Sequence, residues 1–206
     1  MVKIKICGIT NKRDAIAAAG LMPDMMGFVF YNGSKRYVEP RIVRDIANEL
    51  PPSVLKVGVF VSEESGKVLK IAEDCSLDML QFHGDESPDY CAGFKDSYKV
   101  IKAFRIKDSD SLKGVNGYSA DFYMLDTYSD KEKGGTGEKF DWKIIESFEF
   151  LRPVILSGGL TPDNVREAIE RFAPYGVDVS SGVETVPGKK DLLLMKKFAE
   201  NVRKVR

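Results

Sequence analysis

The sequence predicts an α/β fold: one (β/α)8 barrel, a single catalytic domain over residues 1–206. Three observations lead there. Eight short apolar, β-branched runs alternate with helix-patterned segments at a spacing of about 20 to 30 residues, the length of one βα unit. No Pro- or Ser-rich linker and no low-complexity tract breaks the alternation. Glycine-rich turns follow the last two strands, where barrels of this kind commonly bind phosphate.

The strand-like runs are Lys3–Cys7, Met26–Phe30, Lys56–Val61, Met79–Gln81, Lys99–Ala103, Phe122–Asp126, Val154–Leu156 and Val177–Val179. Between them, Arg41–Leu50 spaces Ile42, Ile46 and Leu50 four residues apart, on one face of a helix. Thr161–Phe172 opens with Thr161 as the expected N-cap and Pro162 at the first helical position, where a missing N–H costs nothing. Asp191–Val202 is a further amphipathic run. The stretches after the fourth and fifth strands carry the faintest helical pattern. Regular βα alternation implies a parallel sheet with right-handed crossovers. An open doubly wound sheet would ordinarily carry G-x-G-x-x-G after its first strand. Here that strand runs into Ile6-Cys7-Gly8-Ile9-Thr10, without the fingerprint, so closure into a barrel is favoured.

Composition narrows the partners. Lysine plus arginine and aspartate plus glutamate both number 31, so the formal net charge is zero. A nucleic-acid footprint needs a basic excess and is not expected. Three cysteines, Cys7, Cys75 and Cys91, form an odd set without metal-ligand spacing, which points to reduced thiols in a cytoplasmic protein rather than to a disulfide framework or a metal site. No apolar stretch approaches the roughly 18 residues of a membrane span, and Met1–Ile6 alternates like a strand rather than running as the apolar core of a signal peptide. No membrane partner is expected. Monomer and homodimer both remain open.

The candidate site lies at the strands' C-terminal ends. Ser157-Gly158-Gly159 after the seventh strand and Ser180-Ser181-Gly182 after the eighth make two turns whose backbone N–H groups can approach an anion. Cys7 ends the first strand, just before a helix expected to open near Thr10 or Asn11, whose N-terminus would favour a thiolate; the alternative is a small buried apolar residue. Asp126 ends the sixth strand, as an acid–base group or a loop cap. Asp178, inside the eighth strand, needs partners if buried and suits a supporting role. Arg36 follows the second strand and could grip a carboxylate or lie on the surface. Gln81 ends the fourth strand and His83 follows it, His83 either in the site or as a structural hydrogen-bonding residue. Asp121, before the sixth strand, should fall at the opposite, stability end. The charged, glycine-hinged stretch Tyr128–Lys139, with Gly134-Gly135-Thr136-Gly137, reads either as a mobile loop over the site or as a solvated surface loop. Asp141 is expected to cap a helix, with Trp142 packed behind it.

Taken together, these stretches resemble the phosphoribosylanthranilate isomerase family of tryptophan biosynthesis. The likeness runs the length of the chain: Lys5–Thr10, Gly27–Phe30 with Ser34–Tyr37, Val57–Val61, Gln81–Gly84, Leu125–Thr127, Gly134–Gly137 with Phe140–Trp142, Leu156–Leu160 and Asp178–Glu184. Phe82 stands where the family usually has Leu. The resemblance implies an Amadori rearrangement of N-(5′-phosphoribosyl)anthranilate, a small phosphorylated substrate. It assigns Asp126 as general acid and Cys7 as general base, and Arg36 to the anthranilate carboxylate. Gln81, His83 and Asp178 complete the expected substrate-binding set, and the two serine–glycine turns hold the phosphate. It implies no metal and no other cofactor.

Three other readings fit less well. A histidine-pathway isomerase of the same chemistry resembles a repeated half-barrel with Asp in the first-strand role, where this chain has Cys7. Ribulose-phosphate 3-epimerase uses metal ligands that a chain with the single histidine His83 cannot supply. A non-catalytic phosphosugar-binding module would need the turns but not both Cys7 and Asp126.

Overall fold

In the computed structural model of the chain, which describes residues 1–127 and 143–205, eight parallel strands close in sequence order, each bonded to the next and β8 to β1. They are β1 (Lys3–Cys7), β2 (Met25–Val29), β3 (Leu55–Phe60), β4 (Met79–Phe82), β5 (Lys99–Ile106), β6 (Phe122–Thr127), β7 (Val154–Ser157) and β8 (Gly176–Val179). Among the described residues, seven α-helices accompany them: α1 (Lys12–Ala19), α2 (Pro40–Ala47), α3 (Ser65–Asp74), α4 (Pro88–Ala92), α5 (Lys143–Glu146), α6 (Val165–Phe172) and α7 (Leu192–Arg203). A short antiparallel hairpin, β9 (Glu184–Val186) and β10 (Lys189–Lys190), follows β8. Tyr128–Lys139, Asp141 and Trp142 lie outside the described residues. Among the described residues no helix is long and apolar enough to cross a membrane.

Alternation along each strand sorts the core into two bodies. Outward positions such as Ile6, Phe28, Phe60, Leu80, Leu125 and Val177 pack under the helices in one large apolar cluster. Inward positions Met25, Val57, Met79, Ile101, Met124 and Ile155 form a separate apolar layer inside the barrel. Several of these sit two residues before a side chain that lines the upper cavity, as Met79 precedes Gln81 and Met124 precedes Asp126. Two strand residues place the layer roughly 6–7 Å deeper. Lys5, two residues before Cys7, enters the barrel at the same depth.

The lower end repeats one device. Asp24, Asp78 and Asp121 each stand immediately before an even-numbered strand. Each accepts a backbone N–H from the preceding odd-numbered strand: Ile4 at 2.8 Å, Lys56 at 2.7 Å and Val100 at 2.9 Å. Asp121 is thus on the stability end, as its place in the sequence suggests.

Local chemistry sets most helix starts. Asn11 accepts the Asp14 N–H for α1, Ser87 the Tyr90 N–H for α4, and Asp191 the N–H groups of Leu193 and Leu194 for α7. Two expectations fail. The helix after β7 begins at Val165, with Asn164 at the cap position, instead of at Thr161. Thr161 Oγ1 accepts the Asp163 N–H at 3.2 Å and Asn164 Oδ1 accepts the Thr161 N–H at 2.7 Å, which closes the chain into turns before the helix. After β5 the chain makes two 3₁₀ turns, Ser109–Leu112 and Val115–Gly117, where a full βα unit would carry a helix. Asp108 caps the first of them with a reciprocal Ser111 bond.

Candidate active site

The upper end of the barrel holds a cavity of about 590 Å³. Its wall contains Cys7 from β1, Gln81 and His83 from β4 and its end, Asp126 from β6, Ser157–Gly159 after β7, and Asp178, Ser180 and Ser181 from β8 and its end. Arg36 joins them from the loop after β2. Eleven of the twelve candidate residues therefore meet in one space. The twelfth, Gly182, is not among the lining residues. A β-carbon there would lie 2.0 Å from the Leu160 carbonyl oxygen, so this glycine lets the two turns pack against each other.

Gln81, His83 and Asp126 form a chain across three strands. Gln81 Nε2 lies 3.0 Å from His83 Nδ1, and His83 Nε2 lies 3.1 Å from Asp126 Oδ2. With the amide donating to Nδ1, the proton sits on Nε2 and is donated to Asp126. Among the described residues, the buried Gln81 Oε1 has no hydrogen-bond partner. A buried acceptor on a cavity wall is a place for a ligand's hydroxyl or amine.

The floor is charged. Lys5, with no exposed side-chain surface, donates to Asp178 Oδ1 at 2.9 Å, and Asp178 Oδ2 accepts from Ser157 Oγ at 3.0 Å. Lys5 Nζ and Cys7 Sγ also stand together against Gly27, where a β-carbon would lie 3.0 Å from the one and 2.6 Å from the other. Burial works against the Lys5 ammonium, but Asp178 and Cys7 outweigh it and hold its pKa above the ordinary lysine value. Cys7 goes the other way from the thiolate expectation. Burial pushes its thiol up, and Asp178 adds to the push, while Lys5 and Lys190 pull down without cancelling it. The α1 terminus does not offset this. Asn11 already caps it, and Asp14 places a carboxylate in its first turn. Cys75 and Cys91 are buried, and burial raises both thiols to about 11.

Arg36 is held from behind. Its Nε lies 2.9 and 3.1 Å from the two Glu184 oxygens and its Nη2 lies 2.6 Å from Oε2. Glu184, whose side chain is 3% exposed, also takes Lys190 Nζ at 2.7 Å. Burial would raise the Glu184 carboxyl, but these two cations more than reverse it and leave its pKa below the ordinary value. Burial lowers Lys190 despite that contact. Lys190 Nζ further donates to the Ser180 carbonyl at 3.1 Å, so a buried cation backs the turn after β8. In the first turn, Gly158 and Gly159 take the left-handed φ values of 88° and 65°. Lys5, Glu184 and Lys190 were not among the site residues expected from sequence.

Known proteins resemble this chain along its length. Residues 4–201 match the family described as N-(5'-phosphoribosyl)anthranilate (PRA) isomerase. A relative from Caldanaerobacter subterraneus subsp. tengcongensis with that activity in its name is 48% identical over 205 residues, covering all of both chains. The solved phosphoribosyl anthranilate isomerase of Thermotoga maritima superposes with a TM-score of 0.90 at 43% identity, over 98% of this chain and 99% of that one. A second solved isomerase, in complex with reduced 1-(o-carboxyphenylamino)-1-deoxyribulose 5-phosphate, gives 0.88 at 41% identity over the same shares. This chain belongs to the N-(5'-phosphoribosyl)anthranilate isomerase family.

Proposed function

We propose that this cavity carries out the Amadori rearrangement of N-(5′-phosphoribosyl)anthranilate to 1-(2-carboxyphenylamino)-1-deoxy-D-ribulose 5-phosphate by paired proton transfers, with Asp126 as acid and Cys7 as base. The observation that supports the roles is one space bounded by a phosphate cradle, a carboxyl group and a thiol. The Ser157–Gly159 and Ser180–Ser181 turns take the phosphate and Arg36 takes the anthranilate carboxylate. The ribose then spans the cavity between Asp126 and Cys7.

Asp126 gives a proton to the furanose oxygen as the ring C–O bond breaks and the nitrogen lone pair forms a Schiff base at C1′. Cys7 removes the C2′ proton and the electron pair moves toward nitrogen, leaving an enolamine. That intermediate gains a proton at C1′ and loses one from the C2′ hydroxyl, so no atom is gained or lost overall. Positioned proton transfers of this kind contribute roughly 10²–10⁴ each. Gln81 Oε1 is an acceptor for a sugar hydroxyl or the bridging amine. The test is to mix purified protein with freshly made phosphoribosylanthranilate and follow the loss of anthranilate-type fluorescence. Protein-dependent loss is expected. Loss no faster than the spontaneous background would overturn the reading.

A further inference from the structure

Lys5 has no task in these proton transfers, yet it is among the most completely buried charges described. A lysine ammonium taken out of water must be compensated. Asp178 supplies the contact, at 2.9 Å, and Cys7 lies close enough to favour the ammonium as well. Both groups crowd Gly27 on β2, where a β-carbon would lie 3.0 Å from Lys5 Nζ and 2.6 Å from Cys7 Sγ. Below the cavity Lys5 shares its depth with the apolar layer of Met25, Met79 and Met124, so its field is weakly screened.

We propose that Lys5 is a positioning residue for the reaction: its ammonium, anchored by Asp178, sets how readily Cys7 gives the thiolate that takes the C2′ proton. This rests on Cys7 being the base. The groups around Cys7 make the case. Lys5 comes from its own strand, Asp178 from β8 and Lys190 from the hairpin after β8; Glu184 and Arg36 stand one contact further out, around Lys190. Gly27 on the β2 side brings no charge. Without Lys5, burial and Asp178 both oppose the thiolate and Lys190 alone favours it. With Lys5 present, one cation sits between two anions, and the cluster returns to net zero when the thiolate accepts the substrate's proton. Ser157 Oγ, bonded to the far oxygen of Asp178 at 3.0 Å, ties this cluster to the first phosphate turn.

The competing view is that Lys5 merely neutralises Asp178, in which case Cys7 does not sense it. The experiment measures Cys7 alkylation by iodoacetamide against pH, with peptide mapping to separate Cys75 and Cys91, in wild type, Lys5→Gln and Lys5→Met. A neighbouring cation shifts a titration by about 1–3 units. The Cys7 rate at pH 8 should therefore fall about 10- to 1000-fold in both variants. The log kcat profile should fall by the same factor at neutral pH, with KM little changed. An unchanged alkylation profile in a folded Lys5 variant overturns the proposal. Should neither variant fold, ¹³Cε-lysine NMR of the wild-type chain decides. A Lys5 signal that moves as Cys7 titrates and stays still in Cys7→Ser supports the proposal, and one indifferent to Cys7 overturns it. Wild-type turnover in Cys7→Ser would instead remove the base assignment itself, whatever the Lys5 variants do.

Discussion

His83 Nε2 sits 3.1 Å from Asp126 Oδ2, so the carboxyl proposed as the general acid is itself held by the chain's one histidine. The two residues come from β4 and β6, on either side of β5. Gln81 fixes the far side of the ring. A carboxyl group steadied in this way is aimed before substrate arrives, which is where much of the value of a catalytic group lies.

The first prediction concerns that contact. His83→Ala should lower kcat by about 10²-fold, the scale of a misplaced catalytic group, while KM changes little. Steady-state kinetics on the folded variant decides it. A kcat within twofold of wild type would release Asp126 from dependence on His83.

Asp126→Asn and Cys7→Ser should each lower kcat by roughly 10²–10⁴, with an unchanged far-UV spectrum. Both retain shape and remove the proton chemistry. Either variant turning over like the parent would strip that residue of its role.

Glu184→Gln should act through Arg36. The neutral amide leaves two cations facing each other without the carboxylate that now separates them. Removing one partner of a buried ion cluster costs about 3–5 kcal/mol, so the melting temperature should drop. KM should rise more than kcat falls, because Arg36 is assigned to binding. A variant with lower stability but wild-type KM would confine Glu184 to the fold.

Gly182→Ala tests the seam between the phosphate turns. The new methyl meets the Leu160 carbonyl oxygen at 2.0 Å, an immovable backbone atom. Gly114→Ala is the control: its φ is positive, at 81°, a strain that Gly182 does not carry, but nothing lies within 4 Å of the new carbon. The control should cost about 1–2 kcal/mol. Gly182→Ala should cost more and also weaken inhibition by inorganic phosphate. Equal losses in urea titration would mean the turns are not in contact as described.

Acid should destabilise the protein through Glu86 and Glu184. Burial alone would raise Glu86, but Lys102 at 2.7 Å and the Ser62 N–H at 2.8 Å reverse it and leave its pKa below the ordinary value. A carboxyl lowered in the folded state stabilises above its unfolded value of about 4.3, and that stability is lost as pH falls through the folded value. Urea midpoints should therefore decline steeply below about pH 4.3, and Glu86→Gln should flatten part of that decline. A variant with the full wild-type slope would exclude Glu86 as a contributor.

The fold was legible because parallel strands buried on both faces read as short apolar runs, and their even spacing survives without knowledge of contacts. Residues at strand ends were legible for the same reason: Cys7, Gln81 and Asp126 follow directly from where each run stops. What escaped is what crosses the chain. Lys5 is legible in principle, since strand alternation puts it on the inward face of β1 with Cys7 two residues later. Glu184 and Lys190 are not, because their meaning depends on Arg36, 148 residues before Glu184. The Thr161 start failed because side-chain turns at Thr161 and Asn164 competed successfully with the first helical bonds. Phe82, the departure from the family pattern, faces outward, tilted against Phe94 and edge-on to Tyr90 under the helices, away from the cavity.

The apolar layer of Met25, Val57, Met79, Ile101, Met124 and Ile155 makes the barrel a vessel with a stopper. Substrate enters and product leaves over the same rim. The polar floor of Lys5, Asp178 and Ser157 rests on that stopper. A proton lifted from C2′ therefore exchanges with solvent through the mouth that the substrate itself occupies. Traffic and isotope exchange are thereby coupled. On the proposed mechanism, a hydrogen taken by Cys7 stays with the complex while the site is filled, and the label it carries records exchange against turnover.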